Sequence, residues 1–176
     1  MRKRTEFINK DLYYYYAFLI IGIIYIYAVP KAESFFIFNS FHSPFLDTVM
    51  PYITFLGDGF FAAIVALFFL FYRVRHGIYL GLSFIFSGII VQMLKRLVFE
   101  DKLRPVAYFN ELAIDIYTIP GYDTPMMFSF PSGHSTTAFA CFIGISFLVR
   151  QWYLKLILLL VAVLVGYSRV YIAVHF

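Results

Sequence analysis

Residues 77–94, with the sequence GIYLGLSFIFSGIIVQML, form 18 consecutive uncharged residues that end at Lys95 and Arg96. A helix needs about 20 apolar residues to cross the ~30 Å hydrocarbon core of a bilayer. The length and composition of this stretch therefore predict a membrane-spanning helix, with the basic pair at its boundary.

Four further stretches of the chain have a similar character. They are residues 13–29, 49–72, 131–149 and 156–175. The second contains the breaker Gly57-Asp58-Gly59, which predicts an interfacial segment before a membrane helix that begins near Gly59. The sequence thus predicts an all-α, polytopic membrane helical bundle of five spans, in a single domain over residues 1–176.

The overall composition excludes several other classes of protein. The chain is 62% hydrophobic and 14% charged, whereas soluble domains are about 45–50% apolar and about 25% charged. Its single cysteine, Cys141, permits no internal disulfide, and no Cys/His cluster predicts a structural zinc site. The charged residues, with a net charge of +4, lie between the apolar runs. We therefore expect no nucleic-acid partner, and we expect membrane lipids to surround the protein.

The distribution of Lys and Arg predicts the orientation, because these residues accumulate in cytoplasmic loops. A cytoplasmic N-terminus places 8 of the 14 cations inside: Arg2, Lys3, Arg4, Lys10, Arg73, Arg75, Arg150 and Lys155. Six cations remain outside: Lys31, Lys95, Arg96, Lys102, Arg104 and Arg169. A cationic cluster on the side opposite to the positive-inside bias predicts an anion site at the outer face.

Two polar motifs on that side suit a phosphate group. Pro131-Ser132-Gly133-His134 predicts a helix N-terminus, with Ser132 as its cap and free N–H groups that attract anions. In the last span, Arg169 is a charge within an apolar stretch and is therefore a functional candidate. Ser168 and His175 are seven residues apart, which predicts that they share one helix face about 10 Å apart along the axis.

These residues resemble the motifs of the type 2 phosphatidic acid phosphatase family, membrane lipid phosphatases related to vanadium haloperoxidases. The family motifs are Lys, six residues, Arg-Pro; then Pro-Ser-Gly-His; then Ser-Arg, five residues, His, three residues, Asp. The second motif is intact from Pro131 to His134, and the third is intact from Ser168 to His175.

Two departures from the family pattern stand out. Eight residues separate Lys95 from Arg104, whereas seven separate Arg96 from Arg104; Lys95 is preferred because it directly follows the apolar span. The Asp of the third motif and the usual sixth span fall beyond Phe176, so we expect the sequence to be truncated.

The resemblance implies a site and a mechanism. His175 is the expected nucleophile, which forms a phosphohistidine, and His134 is the expected general acid and base. Lys95, Arg104, Ser132, Gly133 and Arg169 are expected to bind the phosphate, with no metal and no other cofactor.

The expected substrate is a lipid phosphomonoester or diphosphate, of the phosphatidate, phosphatidylglycerophosphate, lipid A or undecaprenyl diphosphate type. The expected location is the bacterial inner membrane, with the site facing the periplasm. A non-enzymatic lipid-phosphate binding or transport protein is the alternative, a haloperoxidase is a more distant one, and the sequence gives no oligomeric state.

Overall fold

Eight α-helices make up the part of the chain that the structure describes. The computed structural model describes residues 2–176, with side chains from residue 13 onward, and contains no strand within that range. The helices are α1 (Arg2–Ala28), α2 (Lys31–Asn39), α3 (Pro44–Phe55), α4 (Gly59–Tyr72), α5 (Val74–Leu97), α6 (Pro105–Glu111), α7 (Gly133–Ser146) and α8 (Trp152–Tyr171). The predicted all-α class is confirmed. The basic side chains of Arg2, Lys3, Arg4 and Lys10 lie outside the described residues.

Two of these helices, α5 with 24 residues and α8 with 20, are long and apolar enough to cross a membrane. Two bent pairs also pass the same test: Tyr13–Ala28 with α2, bent by 115°, and α3 with α4, bent by 53°. The described residues thus provide two to four spans, and the count of five stays a prediction. Within the expected span 131–149, α7 has only 14 residues, or about 21 Å of helix.

The break between α3 and α4 follows from local sequence, as predicted. The Asp58 side chain accepts a hydrogen bond from the Phe60 N–H at 2.7 Å, which caps α4 so that it begins at Gly59. At Gly57 a Cβ would lie 2.5 Å from the His134 carbonyl oxygen. Glycine therefore allows this bend to touch the start of α7.

The core lies where α7 packs between α5 and α8. Ala138 and Phe142 of α7 pack there against Ala162 and Val165 of α8. Many large apolar side chains remain exposed on the outer faces of α1, α4 and α5. An apolar exterior of this extent suits contact with lipid rather than water.

The C-terminus of α8 differs from the sequence prediction. The helix ends at Tyr171, and Ala173 adopts a left-handed conformation with a φ of +55°. The Val174 N–H donates to the Arg169 carbonyl at 3.1 Å and the Ala173 N–H to that of Val170 at 3.0 Å, which is a Schellman termination. The prediction that Ser168 and His175 share one helix face is therefore wrong, because the chain turns before it reaches His175.

Two side chains from other segments hold this turn. The Asn39 amide donates to the carbonyls of Val170 at 3.1 Å and Tyr171 at 2.9 Å. Arg104 Nη1 donates to the Val174 carbonyl at 3.2 Å. The last carbonyls of a helix have no partner within it, so these long-range contacts satisfy the end of α8 and position His175.

We expect Gly77→Ala to destabilise the protein, because the new Cβ would lie 2.4 Å from the backbone of Leu70 and α4 would have to move away from α5. Overpacking of this kind costs about 1–3 kcal/mol. Gly81→Ala, one turn further along α5, is the matched control, since nothing lies within 4 Å of its Cβ position. Thermal unfolding in detergent measures both variants, and equal melting temperatures would contradict the close α4–α5 approach.

Candidate active site

The N-terminus of α7 forms one wall of the site. Ser132 caps the helix by accepting hydrogen bonds from the Ser135 N–H at 3.4 Å and the Ser135 hydroxyl at 3.0 Å. Nothing lies within 4 Å of the position that a Cβ of Gly133 would occupy. The predicted helix start is confirmed, and an anion can approach its first N–H groups closely.

Arg104 enters the site from the segment that follows α5. Its N–H donates to the Met126 carbonyl, and the Ser129 N–H donates to the Lys102 carbonyl, both at 2.9 Å. The Arg104 Nε donates to the Met127 carbonyl at 2.7 Å, and partial burial lowers the pKa of the guanidinium. Two loop segments thus fix Arg104 beside the turn that carries His175.

Arg169 supplies a second guanidinium from within α8. Its side chain is 6% exposed, and Nη1 donates to the Thr54 hydroxyl of α3 at 2.8 Å. Its Nε is buried without a hydrogen-bond partner among the described residues. A buried guanidinium with an unused donor is chemically suited to bind an oxyanion.

His175 is held in one tautomer by its surroundings. The ring is buried, and Nδ1 forms a hydrogen bond with the Ser129 carbonyl. A carbonyl oxygen only accepts, so Nδ1 carries the proton and Nε2 keeps its lone pair. Burial, together with the charges of Arg104 and Arg169, lowers the pKa of His175 to about 2, which keeps this imidazole neutral.

His134 has a more open environment in the first turn of α7. Its side chain is 33% exposed, and Nε2 lies 3.7 Å from the Asp58 carboxylate. The charges of Arg169, Lys95 and Arg104 also act on this ring. His134 therefore has both a carboxylate and a group of cations within electrostatic reach.

The structure brings residues of all three sequence motifs together. Lys95, Arg104 and Arg169 all act electrostatically on His175 as well as on His134. Arg96 is exposed and is not among the charges that act on either ring. This placement favours Lys95 over Arg96 as the cation of the first motif.

Four residues of the site were missed by sequence reasoning: Asn39, Thr54, Asp58 and Ser129. Asp58 could have been found, because it is the single charge in the apolar stretch 49–72 and intramembrane charges are functional candidates. The other three act through contacts distant in sequence, and no local pattern marks them.

Two histidines with no assigned role lie elsewhere. His42 Nδ1 lies 3.2 Å from the Asp47 carboxylate, which also accepts from the hydroxyls of Tyr117 at 2.8 Å and Tyr171 at 2.6 Å. His76 lies near Phe69 at the α4–α5 turn. Among the described residues, no group of three or more His, Cys, Asp or Glu side chains is arranged to hold a metal ion.

Comparison with known proteins adds a family. The sequence model of the PAP2 superfamily matches residues 76–176. Among solved structures, LpxE of Aquifex aeolicus is similar at 28% identity and a TM-score of 0.71, over 82% of each chain. The first transmembrane PAP2-type phosphatidylglycerolphosphate phosphatase from Bacillus subtilis is similar at 26% identity and a TM-score of 0.62, over 95% of this chain and 85% of that one. No curated protein sequence matches.

The low pKa of His175 predicts a pH-dependent stability. The unfolded histidine has a pKa near 6.5, so between that value and about 2 the unfolded chain binds more protons than the folded one. The contribution of neutral His175 to the free energy of unfolding is therefore complete above pH ~6.5. It is lost as the pH falls, and the loss reaches about 2 kcal/mol at pH 5. The variant His175→Asn, whose amide can still donate to the Ser129 carbonyl, should lose less stability than the wild type over the same pH range. Unfolding in detergent at pH 7 and pH 5 measures this, and equal losses in both proteins would contradict it.

Proposed function

The chain belongs to the PAP2 superfamily, and from this we propose that it is an integral membrane lipid phosphatase that acts through a phosphohistidine intermediate. The substrate is a lipid phosphomonoester or diphosphate. The observation that carries the proposal is the fixed tautomer of His175, whose Nδ1 is bonded to the Ser129 carbonyl. Its Nε2 is thereby kept as a nucleophile beside three cations.

In the first step, His175 Nε2 attacks the phosphorus in line. The bond between phosphorus and the leaving oxygen breaks, and His134 donates a proton to that oxygen. In the second step, His134 takes a proton from a water molecule, which attacks the phosphohistidine and releases inorganic phosphate. The cycle leaves His175 neutral and His134 protonated, as they were when the lipid phosphate was bound.

Charge stabilisation in this mechanism comes from the protein itself. Lys95, Arg104 and Arg169 bind the equatorial oxygens, together with the Ser132 hydroxyl and the Gly133 N–H. Preorganised donors of this kind account for much of the catalysis in phosphoryl transfer. We therefore propose a reaction that needs no metal, and activity should persist in the presence of a chelator.

The site is proposed to face the outside of a bacterial inner membrane. The argument for this orientation is that most Lys and Arg residues lie in the segments assigned to the cytoplasm, as the positive-inside bias requires. The cations on the other side are mainly those that converge at the site. Substrate would enter laterally from the outer leaflet, and its tail would remain among the apolar side chains of the bundle.

Substitution of His175 and of His134 should impair the reaction in different ways. His175→Ala should abolish turnover and the covalent intermediate, because it removes the nucleophile. His134→Ala should slow hydrolysis by about 10²- to 10⁴-fold with a lipid alkoxide leaving group, and less with an aryl phosphate, which leaves without protonation. Single-turnover phosphate release and trapping of the acid-labile phosphoenzyme measure both effects. If His175→Ala hydrolysed substrate at the wild-type rate, His175 would not be the nucleophile. If the wild-type protein released no phosphate from any lipid phosphate, a binding or transport protein would be favoured instead.

Neighbouring cations at the end of α5 provide a matched pair. Lys95→Met should lower kcat/KM by about tenfold or more, since a charge-assisted contact to phosphate is lost. Arg96→Met removes the same charge from the adjacent exposed position and should have little effect. Steady-state hydrolysis in mixed micelles compares the two, and a larger loss in Arg96→Met would reverse the assignment.

A further inference from the structure

A cavity beside the candidate active site lies at the bend between α1 and α2. Its volume is about 440 Å³, which is within the size range of small-molecule sites. Ile26, Val29, Phe99 and Phe130 provide apolar walls. The cavity therefore has room for part of a lipid and an apolar surface that suits one.

Two lysines give this cavity a positive charge. Lys31 and Lys102 both line it, and their charges act on each other. The Lys31 ammonium lies 3.5 Å from the centroid of the Phe176 ring and 4.7 Å from that of Tyr108. Lys102 contacts Asp101 at 3.0 Å, but these side chains are 48% and 70% exposed, and exposed pairs of this kind are weak.

A third polar group belongs to the same cavity. Tyr25 lines it, and the buried hydroxyl of Tyr25 has no hydrogen-bond partner among the described residues. A buried hydroxyl without a partner is unfavourable unless a ligand satisfies it. Two ammonium groups and a phenol are all hydrogen-bond donors, so the chemistry of this cavity favours an anion.

Ser129 connects the cavity to the candidate active site. Ser129 lines the cavity. Its carbonyl accepts a hydrogen bond from His175, and its N–H donates to the backbone carbonyl of Lys102 at 2.9 Å. The backbone of Ser129 thus lies between the His175 ring and the segment that carries Lys102, which places the cavity next to the candidate active site.

We propose that Lys31 and Lys102 bind a second anionic group of the lipid substrate, distinct from the phosphate that is hydrolysed. The preferred substrate is then a lipid that carries at least two anionic groups, with apolar atoms between or beside them in the cavity. This rests on the proposed lipid phosphatase function and specifies its substrate class.

The test compares two lipids with identical acyl chains. Phosphatidate carries a single phosphate, whereas phosphatidylglycerophosphate carries a phosphodiester in addition to its terminal phosphate. In the double variant Lys31→Met/Lys102→Met, kcat/KM for phosphatidylglycerophosphate should fall about tenfold or more, as expected for lost charged hydrogen bonds, while that for phosphatidate changes little. Arg75→Met removes an exposed cation near the start of α5, at the end far from Lys102. It should leave kcat/KM for both lipids unchanged. An equal loss for both lipids would overturn the proposal.

A binding measurement separates this proposal from the function on which it rests. Phosphatidylglycerol has the phosphodiester but no terminal phosphate, and bound ligand raises thermal stability. It should raise the melting temperature of the wild-type protein more than phosphatidylcholine does, and this difference should disappear in the double variant. An equal shift in both proteins would overturn the second anion site, even if the wild type hydrolyses no lipid. Lys102→Met alone, at an exposed position, replaces the double variant if the latter does not fold.

Discussion

The buried guanidinium of Arg169 is the constraint on which the arrangement of the site depends. A charge within an apolar helix is tolerated only where polar groups surround it. Thr54 provides one such group by accepting from Nη1 at 2.8 Å, which ties α8 to α3. The bend that follows α3 then passes so close to α7 that only Gly57 fits against the His134 carbonyl. One arginine thus sets the relative positions of three helices that contribute to the site.

A second consequence follows at the end of α8. The apolar sequence continues through Val174 without a breaker, so the helix does not end for local reasons. It ends because Asn39 and Arg104 satisfy its terminal carbonyls, and Ala173 takes the left-handed conformation that usually favours glycine. That conformation costs about 1–2 kcal/mol for a residue with a Cβ. The contacts that offset this cost also place His175 against Ser129.

These features explain which parts of the structure the sequence could predict. The helices α1, α4, α5, α7 and α8, the break at Gly57-Asp58-Gly59 and the cap at Ser132 depend on residues within a few positions of one another, and local patterns indicated them. The turn before His175 depends on Asn39, more than 130 positions away, so helical periodicity alone gave the wrong geometry there. The motifs nevertheless identified the residues that converge, because they record the chemistry required at the site rather than the path of the chain.

The two histidines acquire different roles from their neighbours. His175 is bonded to a carbonyl, which fixes its tautomer but supplies no negative charge, so the ring stays neutral among the cations. His134 lies beside the Asp58 carboxylate, while the charges of Arg169, Lys95 and Arg104 oppose its protonation. A phosphate group bound among these cations adds negative charge and shifts the balance at His134 toward the imidazolium. In the proposed mechanism the substrate therefore helps to prepare its own general acid, while the nucleophile beside it remains shielded by burial.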